Sequence, residues 1–423
     1  MKPGGGHTGG AAGWLSRLLP DVLFADGYRR LWYTGLLYYQ AHWMEITITG
    51  WVVLSFTGSA AAVGLVAFFR TLPMLILGLI FGTLADRFPR LAVLGVIQVA
   101  GMLASLGFCL LFLAGLEILW VVCVLSTIIG CAWAADFAAR RALITELNRP
   151  ENTGSAMSLE ALSLQGGKIV SPVVAGVLLG VGGAPAAYAF LTAMFGLGIV
   201  ALMYLHRSGT LRRTVVASTI PMLQLIRSGW VAAMEVPVIR VVLIITVIMN
   251  LLVFPYQHLI ALVAGDILEV GPGRMGMLSG AAGVGSALVA GYLTFRSRPS
   301  TALRYFAGGA TLASIGLVGL AMSTSFPLSL VLQLTIGACA GAFGAMQPVL
   351  IASSVDPEMR ARAMGVLAMA IGTGPIGILL TGTMSSWIGP AWTIGGLAGL
   401  ATAALVITLV LYRGVLSRAR ESR

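Results

Sequence analysis

The chain has 423 residues, of which 58% are hydrophobic and only 10% charged, where soluble domains carry roughly a quarter charged residues. With a mean hydropathy of +0.94, that composition excludes a water-soluble protein. The net charge of +11 comes without an aromatic-basic patch, so it gives no support for a nucleic-acid partner.

Residues 1–30 open Gly-rich, MKPGGGHTGG, and read as partly disordered before a short amphipathic piece that Arg17 and Pro20 break; no cleavable signal peptide is visible. Apolar stretches of about 20 residues, the length that crosses a roughly 30 Å hydrocarbon core, then recur along the chain. Twelve are expected: 31–56, 60–84, 91–115, 118–143, 156–181, 185–205, 241–264, 275–294, 303–322, 326–352, 363–386 and 391–412. Because they are apolar on all faces, they read as helices rather than barrel strands. The four cysteines, Cys109, Cys123, Cys131 and Cys339, fall inside these spans and behave as small hydrophobes. The fold class expected is an all-α membrane protein of two pseudo-symmetric six-helix bundles, 31–205 and 241–412. A basic loop, 206–240, joins them, and residues 413–423 form a tail.

Lys and Arg set the orientation, because cytoplasmic loops hold the excess. Of the 26, 23 lie at the termini or in alternate loops on one side; Arg274 stands alone on the other, and Arg70 and Lys168 lie within spans. Both termini and the central loop are therefore expected in the cytoplasm, in a bacterial inner membrane.

The halves are related in sequence. An offset of 207 aligns 129–169 with 336–376 with 13 identities in 41 positions, among them Gly130/Gly337, Pro150/Pro357, Glu151/Glu358 and Gly167/Gly374. About 4 would arise by chance, and a parallel duplication of this kind is one transporter repeat pattern.

The turn between the second and third spans reads GTLADRFPR. It resembles the signature loop of the major facilitator superfamily, with Gly82, Leu84, Ala85, Asp86, Arg87 and Arg90 matching and Phe88 and Pro89 in place of the usual central glycine. The second half keeps GYLTFRSR, in which Phe295 replaces the aspartate. The resemblance implies a cytoplasmic gate at Gly82, Asp86, Arg87 and Arg90, with Asp86 facing the start of the eleventh helix near Arg360 and Arg362. Residues 135–179, together with RRLWYTG and SFTGSAAAVGL, resemble the enterobactin-exporter and drug:proton antiporter group. Within them GKIVSPVVAG is similar to an antiporter pattern, keeping Gly167, Pro172 and Gly176 but carrying Ser171 and Ala175 where that pattern has glycines.

Ionisable residues inside spans cost at least about 2.5 to 3.5 kcal/mol on insertion scales unless they face a cavity or a partner. Glu45 and Arg70 lie at matching depths, roughly 15 Å from the outer ends of the first two spans at 1.5 Å per residue. Asp136 is one helical step (i, i+4) from Arg140, with Lys168 about a turn deeper and Glu160 level with Arg140 and Arg141. A buried carboxylate whose neighbouring cation moves away releases or captures a proton, the step that proton-coupled transport requires.

The second half carries no comparable charge, only Asn250, Gln257, His258 and Gln347, and reads as the apolar wall of a cavity. Tyr38, Trp43, Phe254, Tyr256 and Met346 are further candidates to line it. QGGKIV lacks the flanks of a phosphate loop, and no HExxH or GxSxG pattern appears, so neither an enzyme nor a cofactor or metal site is expected. The sequence points to a secondary transporter whose partners are the lipid bilayer, a proton and a small-molecule substrate, exporting amphiphilic small molecules or siderophores. Proton-coupled uptake, or a non-transporting scaffold or receptor, stands as the alternative.

Overall fold

The computed structural model describes residues 26–207, 234, 236–296, 299–355 and 360–413; within the helices, the side chains of 26, 77–87, 138, 150, 151, 154, 294–296, 299, 300, 352 and 360–362 lie outside that description. Every regular element among the described residues is helical. α1 (Asp26–Thr57) passes to α2 (Ala60–Arg87) through Gly58, whose φ of 59° lies in the left-handed region open to glycine. α3 (Arg90–Leu113) starts immediately after Pro89, and α4 (Leu119–Leu147) follows.

α5 (Pro150–Arg207) has 58 residues, about 87 Å at 1.5 Å per residue, and cannot cross a roughly 30 Å core once. It breaks at Gly183 (φ 66°, ψ −166°), just ahead of Pro185. Two contacts show that the limbs fold back on each other: the Tyr28 hydroxyl donates to the Ala156 carbonyl at 2.8 Å, and Arg30 Nη1 donates to the Tyr204 carbonyl at 3.4 Å. Both ends of α5 therefore lie beside the start of α1.

α6 (Pro237–Ile248) runs into a π turn (Met249–Val253), a 3-10 segment (Phe254–Leu259), one α turn and a second π turn (Val263–Ile267). Pro255 lacks a backbone donor and its ring crowds the preceding turn, so the regular ladder cannot pass through it. The remaining helices are α7 (Pro272–Arg296), α8 (Pro299–Met322), α9 (Phe326–Ser354), α10 (Arg360–Ile371), α11 (Gly374–Ile388) and α12 (Pro390–Leu411).

Nine stretches of the described residues are long and apolar enough to cross a membrane, one of them the folded 155–207. α1 is not among them; it carries Gln40, His42 and Glu45, and His42 and Glu45 are buried inside the protein. The N-terminal segment and most of the central loop lie outside the described residues.

The duplication shows in the packing. A Cβ on Gly130 of α4 would fall 2.0 Å from the Arg70 carbonyl oxygen, and one on Gly337 of α9 would fall 1.9 Å from that of Ala282, so both positions need glycine for the same close crossing. Arg140 Nη1 donates to Thr34 Oγ1 of α1 at 2.9 Å, and its repeat counterpart Gln347 donates through Nε2 to Thr246 Oγ1 of α6 at 2.7 Å. The halves meet along two lines, α2 with α11 and α5 with α7. A Cβ on Gly64 would fall 2.6 Å from the Gly382 Cα, one on Gly176 2.4 Å from the Pro272 carbonyl oxygen, and one on Gly276 2.2 Å from that of Pro172. This seam of small residues lies at the end of the bundle where α1 passes to α2.

Candidate functional site

The deep charges gather in the first half as two clusters. In one, Glu45 of α1 and Arg70 of α2, both buried, meet at 2.5 Å between Nε and Oε2. The other carboxylate oxygen accepts a hydrogen bond from Thr49 Oγ1 at 2.9 Å, one turn along α1. The Thr49 hydroxyl in turn lies 2.9 Å from that of Tyr188 on the second limb of α5. Arg70 Nη2 is 3.1 Å from His42 Nδ1, and the His42 ring stacks on Trp133 of α4 with centroids 3.6 Å apart. One ion pair thus ties α1 to α2; its hydrogen-bonded neighbours His42 and Thr49 are on α1 and in turn meet Trp133 of α4 and Tyr188 of α5. Such a pair is stable in an apolar interior only while both partners stay together.

The other cluster is centred on Arg140, the largest fully buried side chain of the described residues. Its guanidinium grips Asp136 of the same helix through two nitrogens, Nη2 to Oδ1 at 2.6 Å and Nε to Oδ2 at 2.9 Å. Glu160 of α5 lies on its other side, with Oε1 3.6 Å from Nε. That oxygen accepts from the Tyr39 hydroxyl at 2.7 Å, whereas Oε2 has no hydrogen-bond partner among the described residues. The space exists because residue 35 is glycine: a Cβ there would sit 3.0 Å from Glu160 Oε1 and 3.1 Å from Arg140 Nη1. Arg141 instead points outward over the Phe137 ring, at 3.3 Å.

Lys168 belongs to neither ion pair. Its ammonium lies 4.7 Å from the centroid of the Trp43 ring. The neighbouring antiporter-like residues turn out to be packing points. Gly167 faces Trp43 and the Tyr39 carbonyl, the Pro172 carbonyl faces Gly276, and Gly176 faces Pro272. Ser171 donates a hydrogen bond to Gln40, using the hydroxyl that the replaced glycine would lack.

Among the residues expected to line a cavity, Trp43, Phe254 and Gln257 are half-buried. Tyr38 is packed between Trp133 and Phe195, the Tyr256 hydroxyl donates to Gln333 Oε1 at 3.1 Å, and Met346 is buried. Asn250 donates to the Thr246 carbonyl at 2.9 Å. These four are held by protein neighbours, as is Gln347 by its bond to Thr246. A cavity of about 630 Å³ opens elsewhere, at the ends of α1 and α5, lined by Arg29, Arg30, Tyr33, Ala201, Tyr204 and Arg207.

At the signature loop, the side chains of Gly82, Asp86, Arg87, Arg360 and Arg362 lie outside the described residues, and with them the expected contact of Asp86. Arg90 is described: its Nη1 donates to the Ala142 carbonyl at 3.0 Å and to Glu146 Oε2 at 3.1 Å, tying the start of α3 to the end of α4. Sequence reasoning missed Glu146, Thr34, Thr49 and Tyr188, because their partners lie tens of residues away or more, or look like ordinary helix residues. The break in the seventh span was also missed, and Pro255 is the residue that could have pointed to it.

Comparison with known proteins adds a common frame. A staphyloferrin A transporter of Staphylococcus aureus is 24% identical over 174 residues, covering 41% of this chain and 44% of that protein. The chain thus spans less than half of that relative. An uncharacterized MFS-type transporter, YfiS of Bacillus subtilis, is 24% identical over 365 residues, 83% of this chain and 84% of its own. Among solved structures, the POT family transporter PepTSo superposes with a TM-score of 0.74 at 10% identity, covering 94% of this chain and 99% of that one. The nucleoside transporter NupG gives 0.71 at 14% identity, with 92% and 99% covered. An inward-facing bacterial homologue of the lysosomal transporter Spinster gives 0.67 at 13%, with 94% and 95% covered. These likenesses show the fold, and the family and the relatives are transporters rather than enzymes. The Major Facilitator Superfamily model matches residues 31–374, and the chain belongs to that family.

Proposed function

We propose that this protein is a proton-coupled exporter of amphiphilic small molecules or siderophores, working by alternating access between its two halves in a bacterial inner membrane, with both termini and the 206–240 loop in the cytoplasm. The observation that carries the reading is the Glu45–Arg70 pair. It is buried, it joins two different helices, and Arg70 sits at the backbone crossing with Gly130. A shift of α2 against α1 that separates the pair leaves a carboxylate in an apolar site, which favours proton uptake; re-forming the pair expels the proton. Asp136 and Arg140 share one helix, so relative helix motion does not part them, and Arg140 acts as a structural tie.

The small-residue seam closes the halves at one end of the bundle and supports a two-state cycle. The gate at Gly82, Asp86, Arg87 and Arg90 controls the other end. The likeness to a staphyloferrin A transporter supports siderophores within the substrate range. Proteoliposomes loaded with a pH indicator test the coupling. Substrate must move protons in wild-type protein, and Glu45→Gln must abolish proton-driven accumulation while substrate binding persists. Inward substrate movement driven by an inward proton gradient would assign uptake in place of export.

A further inference from the structure

We infer that the substrate carries an anionic group, a carboxylate or its equivalent, and that Lys168 is its counter-charge, with the Trp43 ring as the apolar shelf beside it. The inference rests on the transporter reading and specifies the chemistry of its substrate.

Lys168 stands about 22 Å along the helix from the Gly183 break, at 1.5 Å per residue. It is further still from the Pro150 end, too deep on either side for its four-carbon stem to reach the membrane surface. A cation at such depth persists when it faces a partner or a cavity. Among the described residues no carboxylate pairs with it. Glu45 is taken by Arg70, and Asp136 and Glu160 both face Arg140. Its ammonium lies 4.7 Å from the centre of the Trp43 ring, and its donors have no acceptor among the described residues.

The surroundings are biased the same way. His42 has Arg70, His258 and Lys168 as its electrostatic neighbours, so basic groups from α1, α2, α5 and the 3-10 segment converge around a single acid, Glu45, that is already bound. Apart from the two histidines, this region holds the cations Arg70 and Lys168 against the one carboxylate of Glu45. Its position suits a transported ligand. The Lys168 backbone lies on the line where the halves meet, with its carbonyl 2.7 Å from an ideal Cβ on Gly283 of α7, and the side chain is partly accessible. An aromatic or alkyl body against Trp43 and a carboxylate on the ammonium satisfy both side chains at once, whereas a cationic substrate would add to the excess positive charge.

The test is binding to the purified full-length protein in detergent, with benzoate, naphthoate and pyrenebutyrate each paired with its primary amide. Wild type is expected to bind at least one carboxylate about tenfold or more tighter than its amide. Lys168→Arg should keep that preference, while Lys168→Gln and Lys168→Met should bind acid and amide alike. Trp43→Leu should weaken both members of a pair without changing their ratio. Equal affinity in wild type, a preference for the amides, or no saturable carboxylate binding would overturn the inference, as would an intact preference in both Lys168→Gln and Lys168→Met. Binding needs no gradient. A protein that keeps the Lys168-dependent preference but moves no protons in liposomes would retain this site and lose the transport reading; proton-coupled transport of substrates without any anion preference would do the reverse.

Discussion

Arg140 faces two carboxylates, and that stoichiometry makes an unusual prediction about stability. Removing the last partner of a buried charge costs about 3 to 5 kcal/mol, because the charge is left uncompensated in an apolar interior. Here Asp136 lies at 2.6 Å and Glu160 at 3.6 Å from the guanidinium nitrogens, so neither single substitution strands the arginine. Asp136→Asn should cost about 2 kcal/mol, less than the full penalty, since it removes the closer charge but leaves an amide oxygen in place and relieves the repulsion between the carboxylates. Glu160→Gln should cost about 1 kcal/mol or less, as one oxygen already lacks a partner and the amide still accepts from Tyr39. The double variant strands the arginine and should exceed the sum of the two single costs by about 1 kcal/mol or more, reaching about 4 to 5 kcal/mol. The assay is a double-mutant cycle on equilibrium unfolding of the purified protein in mixed micelles. Strict additivity, within about 0.5 kcal/mol, would refute the reasoning that the two acids share one cation.

Four further outcomes are expected. Glu45→Gln should retain substrate binding and lose proton-driven accumulation, measured in liposomes with an imposed pH gradient; full coupling in that variant would remove Glu45 from the mechanism. Asp86→Asn should lower turnover while leaving the protein folded and membrane-inserted, and wild-type turnover would make the signature loop an ordinary turn. Gly64→Leu should force the α2–α11 seam apart, since even a Cβ meets the Gly382 Cα at 2.6 Å, and thiol labelling at that end should rise several-fold without loss of the helical circular-dichroism signal. A cysteine at Ile220, which lies outside the described residues, should resist membrane-impermeant thiol reagent added from outside intact cells; labelling would invert the orientation.

Much of this was legible in the sequence for identifiable reasons. Apolar length announces spans, and a fixed offset between Gly130 and Gly337 announces a duplication because backbone crossings tolerate no side chain. The contact of Glu45 with Arg70 follows from equal depth, and that of Arg140 with Asp136 from helical spacing. What stayed hidden depends on rotation of one helix against another. Nothing local says that Tyr39 bonds Glu160 across 121 positions; the sequence set Glu160 level with both Arg140 and Arg141, and the structure brings it to Arg140. Tyr38 and Trp43 differ by five positions and look alike as aromatic candidates, yet Tyr38 packs among aromatic rings and Trp43 lies beside Lys168. The irregular path through Phe254 to Leu259 was not read from the sequence, where 241–264 counted as one span despite Pro255.

The tight crossings of the seam between the halves are glycine and proline backbone pressed together, and α5 and α7 share one described side-chain hydrogen bond, from Gln165 Nε2 to Ser286 Oγ at 3.0 Å. Parting it therefore costs little directional bonding beyond that one contact; what is mainly lost is short-range dispersion along two narrow strips related by the internal repeat. The two strips act as paired fulcrums for a rocking lever. The height of the barrier to rocking is then set by the volume of a few side chains, so that a single methyl group placed there would tune the protein's resting posture while its fold stayed the same.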